Sequence, residues 1–388
     1  MPLTSNSRDD LRQLVGRARA QLANVGGDPF TSGVLLESVK STVRGVALES
    51  AAIELPGVDS GTIEATPTVA AHDVVRAAQE AIETVAAGGS ASNLTDFQRV
   101  SLEAIVQLTG RPAMRYRDGV VQPPPNEEGD NERWRTVVAT ARSKINKASA
   151  SVGQVGLSRA DGGADPIGTA WRLGNDLVVT NRHVAALMVV NTGGSPLQWK
   201  YDPAKGAVVN FTVTDDAKKP LRFDISELLF CAEEQSVDFA VFRLAAGAQA
   251  LPKALPLDFE ASSVGEEIEV GGAKRFQGSE IYVVGHPFRA IATSATTSVF
   301  GVADGFKRCS PGLVTALSQF EHAFEHDAST LGGNSGSCVL SVSAHKVVGL
   351  HYGGVSVDSN QIGLANVALG LARLGNHRAA EILRAGKV

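Results

Sequence analysis

The sequence predicts an α+β multidomain chain: an all-α amino-terminal region, then an all-β region that ends in a carboxy-terminal helix. Three observations predict it. At 388 residues the chain exceeds what one typical core organises, so more than one domain is expected. Its first 145 residues or so are rich in alanine, poor in aromatics and apolar at helical spacing. From residue 150 onward, short apolar runs alternate with clusters of Gly, Asn and Asp, the pattern of strands joined by turns.

Taken in order, helices are expected from Asp9 to Asn24 with acidic residues in the first turn, Ser32 to Glu54, His72 to Ala87, and Asp96 to Leu108, stopped by Gly110 and Pro112. "LEAIVQLTGRPAMRYRDG", residues 102–119, reads as a helix running into a short strand and turn. We therefore expect a helical region over 1–121. The proline- and acid-rich "QPPPNEEGDNE" starts a linker and connecting helix over 122–149. A second domain over 150–388 follows. The first 130 residues hold 11 Lys and Arg against 17 Asp and Glu, so the acidity of a chain with net charge −5 belongs to the amino-terminal part.

The chemistry is concentrated in the second domain. "TLGGNSGSCVL", 330–340, is bare where a packed strand is due. A nucleophilic serine on a tight turn needs small neighbours, so that its own N–H and that of the residue two before it point at an oxyanion. Gly333-Asn334-Ser335-Gly336 has that form, although Gly/Ser turns without chemistry have it too. A serine hydroxyl is a poor nucleophile without a base and an acid. "GTAWRLGNDLVVTNRHVAAL" carries an apolar strand, Leu177 to Val179, into a loop with His183. In "CAEEQSVDFAVFRLA", Asp238 directly precedes a run that is apolar on both faces except at Arg243, so it can be held beside an imidazole.

His183, Asp238 and Ser335 stand in the chain order of the chymotrypsin-like triad. With "GTAW…VVTNRHV", "DFAVFRL", "YVVGHP" and "GGNSGSCVL…VVGLHYGG" also in order, residues 150 to about 375 resemble a trypsin-like serine protease domain. The resemblance implies a chymotrypsin fold of two six-stranded barrels and an endopeptidase that needs no cofactor or metal. It also implies that Ser335 is the nucleophile, His183 the base, Asp238 its orienting acid, and the Gly333 and Ser335 N–H groups the oxyanion hole.

Where relatives that cut after Lys or Arg carry an aspartate, this chain has Ser329, so a basic preference is not expected. The walls, "STLGGNSGS" and "GLHYGG", are similar to glutamyl endopeptidases and to viral cysteine proteases that cut after Gln or Glu. That implies a pocket of Ser329, Thr330, His351, Gly353 and Gly354 with a Gln or Glu preference. Asn334 stands where trypsin-like zymogens place the aspartate that pairs with a newly cut amino terminus, so such trimming is not expected to activate this chain. Control is expected from the helical region instead, through a regulatory protein partner or by direct contact. Similar modules of the death-fold or effector-associated kind stand beside trypsin-like domains in bacterial conflict systems, which would place the chain in bacterial defence or signalling.

Composition bounds the rest. The charge offers no footprint for nucleic acid or anionic membrane, and no apolar run approaches the ~18 residues of a membrane span or forms a signal peptide. Three cysteines, Cys231, Cys309 and Cys338, and Val184 in place of the cysteine that usually follows the histidine in secreted relatives, imply a reduced, cytoplasmic protein. His322 and His326 of "EHAFEHD" lie too far apart on a strand, about 13 Å, to share a metal. His286 reads as a turn residue. The alternatives to an active endopeptidase acting on a specific protein are an inactive protease-fold scaffold and, less well matched because little chain follows the barrels, a chaperone-protease.

Overall fold

Strands that are apolar on both faces must be covered on both, and in this chain a pair of barrels meets that demand. The computed structural model describes residues 80, 84, 111–124, 130–192, 199–214, 220–233, 237–247, 249–270, 273–288, 304–318, 321–356 and 363–386. Helices expected between Asp9 and Leu108 lie outside the described residues, apart from Glu80 and Thr84. Both of these are helical, and Thr84 Oγ1 donates to the Glu80 carbonyl at 2.8 Å.

The described elements are, in order, β1 (Met114–Arg117), β2 (Val120–Val121), α1 (Asp130–Ser149), β3 (Val152–Ser158), β4 (Ala164–Gly174), β5 (Leu177–Thr180), α2 (Arg182–Ala185), β6 (Val189–Asn191), β7 (Trp199–Tyr201), β8 (Ala207–Asn210), β9 (Arg222–Cys231) and β10 (Ala240–Leu244). Then come β11 (Gly265–Val270), β12 (Ala273–Gly278), β13 (Glu280–Gly285), β14 (Arg308–Leu317), β15 (Ala323–His326), β16 (Cys338–Ser341), β17 (Val347–Ser356), β18 (Gly363–Gly370) and α3 (Arg378–Ala385). The first barrel closes in the order β10-β5-β4-β3-β8-β9. A second ring runs β13-β16-β17-β18-β15-β14 and closes through the pairing of β14 with β13. The two six-stranded barrels of the chymotrypsin fold are therefore present, as is the carboxy-terminal helix.

Two-residue periodicity divides each strand between two cores. Ala170, Val178, Ala240 and Phe242 fill the first barrel, whereas their neighbours Trp171, Val179 and Val241 face outward. In the second barrel Ile281, Val283 and Val339 point in, while Tyr282, Val284, Cys338 and Leu340 point out. The outward sets of both barrels share one apolar cluster with α1 and α3. Val138, Ala141, Ile145 and Ala148 of α1 recur at three- and four-residue steps, so one stripe of that helix faces the cluster. For α3, the His377 ring caps the start by accepting the Ala379 N–H, and Gly386 in the left-handed region ends it.

Upstream of α1, β1 and β2 form a hairpin whose turn, Asp118-Gly119, has positive φ at both residues, 47° and 74°. That is the type I′ geometry that matches strand twist, and Asp-Gly suits it. The hairpin belongs to the second barrel's sheet: Met114 pairs with Cys309 and Arg115 with Arg308 on β14. Met114, Tyr116 and Val121 enter the shared cluster. No helix among the described residues is long and apolar enough to cross a membrane.

Since Met114 is 2 % exposed within that cluster, Met114→Ala in the full chain should cost about 3 kcal/mol in urea unfolding. A loss below about 1 kcal/mol would mean that the hairpin only leans on the barrel.

Candidate active site

The site begins with the pairing of β5 and β10, in which Thr180 stands opposite Ala240. Residues just beyond one strand's end and just before the other's start are thereby brought together. Asn181 turns the chain into the single turn of α2, and its side-chain amide donates to the Asp238 carbonyl at 2.9 Å. Asp238 holds His183 twice. Its Oδ2 lies 2.6 Å from the ring Nδ1, and its Oδ1 accepts the His183 main-chain N–H at 3.0 Å. A carboxylate accepts only, so the ring donates to Asp238 through its Nδ1–H, and Nε2 is the nitrogen on the opposite edge of the ring. The carboxylate is 15 % exposed and the imidazole 49 %, so a sheltered carboxylate anchors a half-exposed imidazole.

Ser335 arrives from the second barrel. Thr169 of β4 donates its N–H to the Ser335 carbonyl at 2.8 Å, and β4 is the neighbour of the strand that delivers His183. Glycines allow this approach. At Gly336 (φ +86°) a Cβ would stand 2.0 Å from the Thr169 carbonyl oxygen. A Cβ at Gly168 would lie 2.9 Å from Val184, next to His183, and 3.3 Å from the Ser335 oxygen. The bare stretch around Ser335 thus lets two backbones touch.

Before the serine, Leu331 to Asn334 form a turn closed by the Asn334 N–H on the Leu331 carbonyl at 3.0 Å, with Gly333 at φ +103°. Positive φ at the third position alone is the type II form. The Gly332 carbonyl accepts the Phe288 N–H at 3.0 Å. In a trans peptide N–H and C=O point oppositely, so the Gly333 N–H is turned away from Phe288. Among the described residues, neither the Gly333 nor the Ser335 N–H donates to a protein acceptor. Asn334 is buried at 3 % exposure against Gly285, where a Cβ would stand 2.4 Å from its Oδ1.

The pocket residues lie on strands and loops around this turn. Ser329 Oγ donates to the Arg111 carbonyl at 2.6 Å, while the Arg111 guanidinium pairs with Asp327 at 2.6 Å. Thr330 Oγ1 donates to Asn366 Oδ1 at 2.7 Å, and the Asn366 amide donates to the Ala328 carbonyl. His351 on β17 flanks the Ser335 loop through its main chain. It donates to the Ser337 carbonyl and accepts from the Gly336 N–H. Its ring Nδ1 meets His326 Nε2 at 3.2 Å. Burial, reinforced by His326 and His183, holds the His351 imidazole well below its ordinary range, and burial pushes His326 down to about 3. Both rings are therefore neutral at neutral pH. A Cβ at Gly353 would face open space, and Gly354 follows it in the same strand.

Other groups singled out in the sequence are structural. His286 is fully buried, its Nδ1 donates to the Gly305 carbonyl at 3.0 Å, and burial followed by the nearby Lys307 pushes it down to about 3. His322 sits in a turn (φ +65°) with its ring on the Arg373 carbonyl, away from His326. The three cysteines are free thiols. Burial pushes Cys231 up to about 11 and Cys309 up to about 12, and it raises Cys338 as well. Among the described residues no group of three or more His, Cys, Asp or Glu gathers as a metal site would require. Sequence reasoning missed Thr169, which it quotes in "GTAW" without a role, and the contact of Arg111 with Ser329.

Comparison with known proteins bears on the same segment. Residues 168–350 match the family model of the trypsin-like peptidase domain. A probable serine protease of Lysobacter enzymogenes is 27 % identical over 301 residues, covering 70 % of this chain and 73 % of that protein. Among solved structures, the Rv3671c protease of M. tuberculosis aligns in its active form at 16 % identity and a TM-score of 0.37, over 63 % of this chain and 86 % of that one. Its inactive form aligns with a TM-score of 0.35 over 63 % and 91 %. Residues 168–350 thus match a trypsin-like peptidase domain, the two barrels give the chymotrypsin fold, and the family model and the Lysobacter relative support a serine peptidase.

Proposed function

We propose that His183, Asp238 and Ser335 act as one triad in an endopeptidase that cuts a specific protein. The observation that carries this is the double grip of Asp238 on His183, through ring and main chain, beside a serine loop hydrogen-bonded to the adjacent strand. Ser335 Oγ attacks the scissile carbonyl while His183 Nε2 takes its proton and passes it to the leaving amine. Asp238 stabilises the imidazolium. The oxyanion lies against the N–H groups of Gly333 and Ser335, each contributing about 3 kcal/mol to the transition state.

In this reading Ser329, Thr330, His351, Gly353 and Gly354 form the specificity pocket, and they favour Gln over Glu. A buried, neutral His351, its ring held by His326 and the Val367 main chain, offers no positive charge to a carboxylate, whose unpaired burial is costly. The free thiols suit the reducing cytoplasm. In peptide-library hydrolysis, Ser335→Ala should abolish cleavage, and Thr330→Val or His351→Leu should erase the preference for Gln while leaving fluorophosphonate labelling within about 3-fold. Binding of a protein partner with no hydrolysis by the parent chain would instead indicate a scaffold.

We further propose that the region before Arg111 controls the site by contact, in a defence or signalling role, because Asn334 offers no charge to a cut amino terminus. Arg111, the residue that follows that region, touches both Asp327 and Ser329. Deleting residues 1–110, which spares the hairpin, should either raise peptide hydrolysis, if the region blocks the cleft, or leave it intact while cleavage of the natural protein is lost, if it recruits. Unchanged activity toward both substrates would refute control.

A further inference from the structure

Thr169 is fully buried on β4, and each of its polar groups is directed at the site or its support. Its N–H leaves the barrel ladder to donate to the Ser335 carbonyl at 2.8 Å. The Thr169 carbonyl accepts from Thr180 Oγ1 at 2.7 Å. Its hydroxyl donates to the Gly333 carbonyl at 2.8 Å and accepts the His286 N–H at 3.1 Å. One first-barrel residue therefore binds the turn before the nucleophile, the nucleophile's own main chain and the end of β13.

The turn it binds has two peptide orientations to choose between. In the type II form the Gly333 N–H faces away from Phe288; rotation of the Gly332–Gly333 peptide toward the type I form would carry that N–H away from the serine. The Phe288 N–H on the Gly332 carbonyl must let go for that rotation, and Thr169 Oγ1, on the Gly333 carbonyl, fixes the neighbouring peptide against which the rotating one hinges. Phe288 is itself steadied from the loop before β14, where the Gly305 N–H donates to the Pro287 carbonyl at 3.0 Å. The buried side chain next to Ser335 is the neutral Asn334.

We infer that the Thr169 hydroxyl is a positioning group that locks the Gly333 turn in its oxyanion-binding orientation from across the barrel interface, a task that an ion pair at position 334 would otherwise perform. The inference rests on the proposed role of Ser335 and the Gly333 N–H. Thr169 touches no reacting atom and acts through the main chain alone.

The test uses the full-length chain and a fluorophosphonate, whose phosphoryl oxygen occupies the place of the oxyanion. Mass mapping of the parent chain must first find the label on Ser335; a failure there would sink the nucleophile assignment and not the lock. Given that label, Thr169→Val and Thr169→Ala should react about 30-fold slower, and Thr169→Ser should return to within about 3-fold of the parent. The downfield proton on His183 Nδ1, seen by NMR, should persist in all three, because the grip of Asp238 is left untouched. Parent-like labelling in a hydroxyl-free variant would overturn the lock. So would loss of the His183 proton together with the labelling, or failure of both hydroxyl-free variants to fold, since Thr169 would then be structural.

Discussion

One main-chain hydrogen bond, from the Thr169 N–H to the Ser335 carbonyl at 2.8 Å, sets the terms for the rest of the site. It joins backbone from one barrel to backbone from the other, and backbones come that close only where side chains are absent. Gly168 and Gly336 are bare on either side of the contact, because a Cβ at either would overlap the opposite chain or its neighbours. Gly333 is bare for a second reason, its φ of +103°. The bareness of the 332–336 stretch follows from this approach and from the turn that precedes the serine.

Around the contact, burial makes the electrostatics simple. His286, His326 and His351 are all held low by desolvation, and Lys307, whose Nζ donates to the Ser149 and Phe211 carbonyls, is pushed down to about 7. The buried thiols move the opposite way, toward their neutral forms. His183 differs from these histidines in two respects, its exposure and a carboxylate at 2.6 Å. Exposure and a carboxylate partner thus set His183 apart from the buried, neutral His326–His351 pair.

Much of this was legible in the sequence where chemistry sits at strand ends. The apolar run Phe239 to Leu244 announces a strand covered on both faces, and pairing Ala240 with Thr180 is enough to bring Asp238 to His183. Asp118-Gly119 announces its hairpin, though not that β14 would receive it. Contacts between distant segments were not legible. The Thr169 hydroxyl draws its partners from Gly333 and His286, and nothing in "GTAW" announces either. His322 lies in the turn before β15 and not on the strand expected for it, and the partner of His326 comes from β17, 25 residues on, where its own strand gives no signal. The pairing of Ser329 with Arg111 is hidden in the same way, because it depends on a hairpin more than two hundred residues upstream.

The account stands or falls on Ser335 being activated by His183. The most direct measurement is mass-spectrometric mapping of the fluorophosphonate adduct on the full-length chain. The account predicts one adduct, on Ser335, that disappears in His183→Ala. An unlabelled parent chain, or an adduct that persists without His183, would contradict it.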